Sequence, residues 1–268
     1  VADFSRMFER NTAFARSLVA WDVRSGTNFH SMFAHSSYPG NCAGWTMSNA
    51  TSLASMFTYT GGVVDVTGWD TAKVTDMSNL FQSCASVTGE AGFETSNVTS
   101  MAYMFFSTPV VPDVQHWDVS RVVNVSDMFR SVAGLPDLSA WDVRSVSNFT
   151  RMFYNTNVAA QDLSRWDVSA ATTFENMFGF GSQYSAGAAG WNLPAAIATI
   201  RPDWSALSVD AYSETLIGWA RHVVAQNGPY NVFFDNGANS LRFDATLRDP
   251  GGRFPTAVEA RRFLIGPR

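Results

Sequence analysis

Apolar residues recur along most of this chain at one fixed spacing. In the stretch "LPDLSAWDVRSVSNFTRMF" they fall at Leu135, Leu138, Trp141, Val143, Val146, Phe149, Met152 and Phe153, with polar residues between them. The Trp141 to Val143 step has period two, which predicts a short strand with Asp142 on the opposite face. The steps from Phe149 to Met152 and Phe153 are three and four, which predicts one stripe of a short helix. Asn148, just before that stripe, is a good helix N-cap, and so are Asp3, Asn28, Ser52, Asp76, Ser100, Asn124 and Thr173 at equivalent places.

The same pattern repeats with little drift. With the Trp position taken as zero, it is occupied by Trp21, Trp45, Trp69, Phe93, Trp117, Trp141, Trp166 and Trp191, at spacings of 24 or 25 residues. Eleven residues later stand Met32, Met56, Leu80, Met104, Met128, Met152 and Met177, each followed by Phe. A period of 20 to 50 residues marks a solenoid or a propeller, and a Trp-Asp propeller blade needs about 40 residues and four strands. The expected fold is therefore an α/β repeat, a β/α solenoid of about eight 24–25-residue units over residues 1–193. One unit cannot bury its own stripe, but a stack shares a continuous core. Met7 and Phe8 imply a Trp before residue 1, so the chain is expected to be part of a longer polypeptide.

After Trp191 the pattern breaks at Pro194, and residues 194–268 are expected to form a small α+β C-terminal cap. "SVDAYSETLIGWARHVVAQ" places Tyr212, Leu216, Ala220 and Val223 on one helical face, with Ser208 as N-cap. "YNVFFDNG" reads as a strand entering a turn, and Thr256 and Glu259 have capping-box spacing.

The segments "WDVSRVVNVSDMF", "WDVRSVSNFTRMF" and "WDTAKVTDMSNLF" resemble the repeat of BspA-like leucine-rich-repeat surface proteins. The resemblance covers about residues 1–193; Tyr212, Leu216, Gly218 and Trp219 also look like the C-terminal region that follows such repeats. It implies a leucine-rich-repeat-like stack, a place at the surface of a cell or virion, and a role in attachment or recognition. The sequence departs from the family before the Trp, where Asp113, Asp137 and Asp162 remain but the usual Phe-Asn pair does not.

Composition narrows the function. Hydrophobic residues make up 46% of the 268, enough for a substantial core, while charged residues make up only 15%. Net charge is −5, and no basic run is present that could track a phosphate backbone, so nucleic acid is not an expected partner. No apolar stretch approaches the roughly 18 residues needed to span a bilayer, so no direct membrane insertion is expected in this segment. Cys42 and Cys84 lie nearly two units apart, about 10 Å if strands stack at ~4.8 Å, so both are expected to be free thiols.

The outward acidic residues Asp22, Asp70, Glu94, Asp118, Asp142 and Asp167 are the candidate binding ladder. They could hold glycan hydroxyls or Ca²⁺, or simply bond to nearby turn amides, with Arg24, Arg121 and Arg144 as candidate partners. No loop has the alternating acidic ligands of a calcium site, and His30, His35, His116 and His222 have no metal-ligand spacing. No metal or other cofactor is therefore expected. A second ladder, Thr27, Thr51, Thr75 and Thr99, raises ice binding but is interrupted by Val123 and Ser147. Sequons begin at Asn49, Asn97, Asn124 and Asn148; the last two sit at cap positions, which leaves Asn49 and Asn97 as the glycosylation candidates. No Ser or Cys lies in a nucleophile motif, so the chain is not expected to be an enzyme.

The expected function is non-catalytic recognition or adhesion at an extracellular, cell or virion surface, with a protein or glycan on another surface as partner. The alternative is a structural subunit of a surface filament or virion appendage, in which copies of the chain assemble through the ends or flanks of the stack.

Overall fold

Backbone hydrogen bonds in this protein run mainly from one repeat to the next. The computed structural model describes residues 2–14, 16–38, 41–89, 92–180, 184–192, 199–200, 211, 213–219 and 233–234. Seven residues past the Trp position, Asn28, Ser52, Asp76, Ser100, Asn124, Asn148 and Thr173 form an unbroken series of parallel bridges, each to its equivalent in the next unit. The series begins where β1 (Ala2–Asp3) pairs in parallel with β2 (Gly26–Asn28). One residue earlier the amides of Thr51, Thr75, Thr99, Val123, Ser147 and Thr172 donate to the carbonyls of Thr27, Thr51, Thr75, Thr99, Val123 and Ser147. A second parallel line joins Asn41 to Asp65 and β3 (Val63–Asp65) to β4 (Ser86–Thr88).

The paired backbone is therefore not the Trp-x-Val step, where a strand was expected. Trp141 and Val143 do turn inward and are buried, but their segment is irregular, and the bridge falls at Asn148. Period two survives there because Asp142 folds back on its own turn.

The Phe-x-x-Met-Phe step differs more. Among the described residues it forms turns, not an α-helix. In the sixth repeat the amides of Phe149, Arg151, Phe153 and Asn155 donate to Thr173, Glu175, Met177 and Gly179 of the following unit, at 2.9–3.1 Å. The alternate amides of Met152, Tyr154 and Thr156 donate back three residues, to Phe149, Arg151 and Phe153. Such alternation requires a left-handed residue at positions 10 and 14, and Arg151 (φ 51°) and Asn155 (φ 57°) supply it. The same conformation recurs at Ser31 and His35, Ser55 and Tyr59, Asn79 and Ser83, Tyr103 and Ser107, and Asp127 and Ser131. The i, i+3, i+4 spacing misleads because both backbones bury the same three side chains.

Packing explains why the turns win. Helices pack with axes 8–10 Å apart, whereas paired strands lie about 4.8 Å apart, so a helix on one side and paired backbone on the other have mismatched spacings. The turns let the rings approach: Phe33, Phe57, Phe81, Phe105, Phe129, Phe153 and Phe178 stack in one column with centroids 5.6–6.2 Å apart. A left-handed non-glycine residue costs roughly 1–2 kcal/mol. Each one frees an amide for the neighbouring unit.

The Trp column adds a second tie. The indole Nε1 of Trp45, Trp69, Trp141, Trp166 and Trp191 donates to the carbonyl of Leu18, Cys42, Val114, Leu138 and Leu163, at 2.7–3.1 Å. Helix α1 (213–219) carries this column on: Trp219, fully buried, donates to the Ala188 carbonyl at 2.7 Å. Thr215 Oγ1 accepts from the Ala188 amide. Leu216 is buried as its place on the expected helical face requires, whereas Tyr212, Ala220, Val223, Ser208, Thr256 and Glu259 lie outside the described residues. β5 (Thr199–Ile200) pairs in parallel with β6 (Phe233–Phe234), which falls inside the expected "YNVFFDNG" strand.

Two substitutions test this account. Ser107→Gly, at a left-handed position, is expected to leave stability unchanged or raise it by up to about 1 kcal/mol, whereas in a helix it would lower it by a similar amount; the melting temperature distinguishes them. Gly218→Ala drives a Cβ into the Ala189 carbonyl oxygen, so the helix must move off the last unit. A loss of about 1–3 kcal/mol is expected, with a red-shifted Trp emission as the check.

Candidate functional site

The acidic ladder is built from turns. Asp22, Asp70, Asp118, Asp142 and Asp167 each accept, through Oδ1, the amide two residues on: Arg24, Ala72, Ser120, Arg144 and Ser169. An Asp at this position closes a local turn, which gives the ladder a structural cause. Glu94 holds no such turn; its amide donates to Thr71 Oγ1 and its carbonyl accepts from the same hydroxyl. Two of the three candidate arginines pair with the ladder, Arg24 with Asp22 at 2.6 Å and Arg144 with Asp142 at 2.7 Å. Arg121 instead donates to Asn97 Oδ1 of the preceding unit.

The same device occurs at two further places in the unit. Asp3, Asn28, Ser52, Asp76, Asn124, Asn148 and Thr173, expected as helix caps, do receive an amide, again two residues on, but a turn follows instead of a helix. Asn41, Asp65, Asp113, Asp137 and Asp162, before the Trp, do likewise.

Arg24 holds the Asp22 carboxyl down at about 2, and hydrogen bonds from Ser5, Ser120, Ser139 and Ser164 lower Asp3, Asp118, Asp137 and Asp162 below the usual carboxylate range. These are preferences for the ionised form, made by turns.

The two glycosylation candidates, Asn49 and Asn97, are exposed but engaged. Asn49 Nδ2 donates to the Arg24 carbonyl and its Oδ1 accepts from Lys73 Nζ; Asn97 Nδ2 donates to the Ala72 carbonyl. The Thr ladder is also tied to its stack, since the hydroxyls of Thr51, Thr75 and Thr99 donate to the carbonyls of Thr27, Thr51 and Thr75. Cys42 and Cys84 are free and buried, and burial pushes the Cys84 thiol up to about 12. Among the described residues no three His, Cys, Asp or Glu side chains gather as a metal site, and no helix is long and apolar enough to cross a membrane.

One cluster lies outside all of these ladders. Asp127 is almost fully buried, and its carboxylate accepts from Arg130 Nη1 at 3.0 Å and from Arg151 Nε and Nη2 at 3.3 and 3.1 Å. Arg151 Nη2 also reaches Tyr103 OH at 3.4 Å. The Arg130 guanidinium lies over the rings of Phe106 and Tyr154, 5.3 and 4.9 Å from their centroids. The signal in the sequence is a break in the repeat. Position 10 reads Ser31, Ser55, Asn79 and then Tyr103, Asp127, Arg151.

The turn carboxylates make acid stability testable. Asp3, Asp22, Asp118, Asp137 and Asp162 have folded-state pKa values below the ordinary value near 3.8, so their contribution is present above that value and is lost as pH falls toward about 2, where Asp22 protonates. The melting temperature is expected to drop across that window. Asp118→Asn, which keeps an oxygen for the Ser120 amide, is expected to flatten the drop.

Residues 1–90, 58–136 and 106–201 each match one family, in overlapping segments as expected of a repeat longer than the family unit. No curated protein and no solved structure matches the chain. The matched segments together span most of the sequence and coincide with the stacked units, and on that basis the chain belongs to the repeat-protein family described as "Mycoplasma protein of unknown function, DUF285".

Proposed function

We propose that this chain is a non-catalytic, leucine-rich-repeat-like solenoid of the BspA-like surface type, which recognises a protein or glycan at a cell or virion surface. The observation that carries this reading is a constant interior beneath a varied exterior. Position 12 is Phe in seven successive units, while position 14, two residues on and at least partly exposed throughout, runs His35, Tyr59, Ser83, Ser107, Ser131, Asn155 and Phe180. A framework held by backbone bonds tolerates any side chain at the outward positions, which is the property of a recognition scaffold. The thiols, buried and with raised pKa values, are poor nucleophiles, in keeping with a non-catalytic role.

Light scattering over a wide concentration range, followed by a binding screen against glycans and surface proteins, tests the proposal. A monomer with at least one saturable partner is expected. Concentration-dependent assembly into large species without such a partner would replace this reading with the structural subunit of a surface filament or appendage.

A further inference from the structure

We infer that the Arg130–Arg151 cluster, with the aromatic edge beside it, is a binding site for an acidic saccharide, one bearing carboxylate or sulfate groups; this rests on the recognition reading above and names its ligand class and place. Charge is the first argument. Two guanidiniums surround one carboxylate, which leaves one net positive charge in a chain of net charge −5. The arginines do more than neutralise Asp127. One partner is enough for a carboxylate, and the units that carry Ser31, Ser55 or Asn79 at the same position stack without any ion pair there.

Donor supply is the second argument. A guanidinium has five N–H donors. Arg130 spends Nη1 and Arg151 spends Nε and Nη2 on Asp127 and Tyr103; Arg130 Nη2 and Arg151 Nη1 make no hydrogen bond among the described residues. Both side chains are about one-third exposed, at 30% and 38%, so they are fixed in place by the buried carboxylate yet open to solvent. A planar donor group held in this way suits carboxylate or sulfate oxygens.

The third argument is the aromatic edge. Phe180 is 69% exposed and stacks on Tyr154 with centroids 6.0 Å apart and planes 10° apart, and Tyr154 in turn lies under Arg130. The exposed ring, linked to Arg130 through Tyr154, presents an apolar face to the C–H side of one sugar ring while the charged group of a neighbouring sugar meets the arginines. Asn155, the exposed residue that follows Tyr154 and whose Nδ2 donates to Ser131 Oγ, adds a side-chain amide to this edge for ring hydroxyls. A purely acidic peptide would use the arginines but has no need of the exposed ring, so the saccharide is favoured.

Isothermal titration of the full chain with hexagalacturonate, maltohexaose and hexaglutamate decides it. Hexagalacturonate is expected to bind at least tenfold more tightly than either of the others. Phe180→Ala, at an exposed position, is expected to weaken it at least fivefold with no change in melting temperature. Arg151→Lys keeps a charge for Asp127 but loses the planar donors, and is expected to weaken it similarly. Val63→Thr, at an exposed position of β3, is expected to bind as the parent does. Equal binding of maltohexaose or hexaglutamate, or unchanged affinity in both the Phe180 and Arg151 variants, would overturn the assignment. No hexagalacturonate binding by a chain that does capture another partner in the surface screen would remove this site and leave the recognition reading in place.

Discussion

Everything in the stack depends on hydrogen bonds that leave each unit for the next. An α-helix satisfies its amides within itself, and it holds its neighbours at a distance set by side chains. Here alternate amides along the Phe-x-x-Met-Phe segment are spent on the following unit, so the backbones themselves set the spacing. Left-handed residues at positions 10 and 14 are the geometric cost, and stacked phenylalanines and the Trp indole bonds are the return. Once the backbones lie this close, each column must hold side chains that tolerate a copy of themselves one unit away. Flat rings, methionines and branched aliphatic residues do so on the inside.

On the outside, like charges at that separation repel, and the molecule meets this in two ways. Carboxylates are absorbed into their own turns, as at Asp118, or paired with an arginine two residues on, as at Asp22 and Asp142. Elsewhere the columns alternate a donor with an acceptor, as where Lys73 and Arg121 reach back to Asn49 and Asn97. The Asp127 cluster follows neither rule. It buries a charge and surrounds it with two opposite ones, and it lies where the chain departs from its own repeat. A regular ladder has a local structural reason to exist, and a departure from it has none, which is why the proposed site is placed at the departure.

Much of this arrangement could be read from the residues. The period, the inward Trp, Val, Met and Phe, the free cysteines and the turn role of the Asp beside each Trp all follow from residue type and spacing, because they depend on neighbours a few positions away or on exact recurrence. Seven of the eight polar residues expected to open the stripes accept an amide, Ser100 meeting Ser78 Oγ instead, although the structure they open is a turn and not a helix. What could not be read was the destination of the backbone amides, since Phe149, Met152 and Phe153 are buried equally well by a helix and by alternating turns. Nor could the meeting of Tyr103, Asp127 and Arg151, each separated by 24 residues, be recognised until one unit was placed on the next in register.

The sequence alone thus determined the repeat, its inward set and its local turns, because short-range spacing and composition decide which side chains avoid water and which close on their own backbone. Only the tertiary structure decided that the units are joined by amides turned outward from each unit, and that two arginines converge on one buried carboxylate. Both depend on a separation of about one backbone spacing between units, which is set by the packing of the whole stack and by no single unit within it.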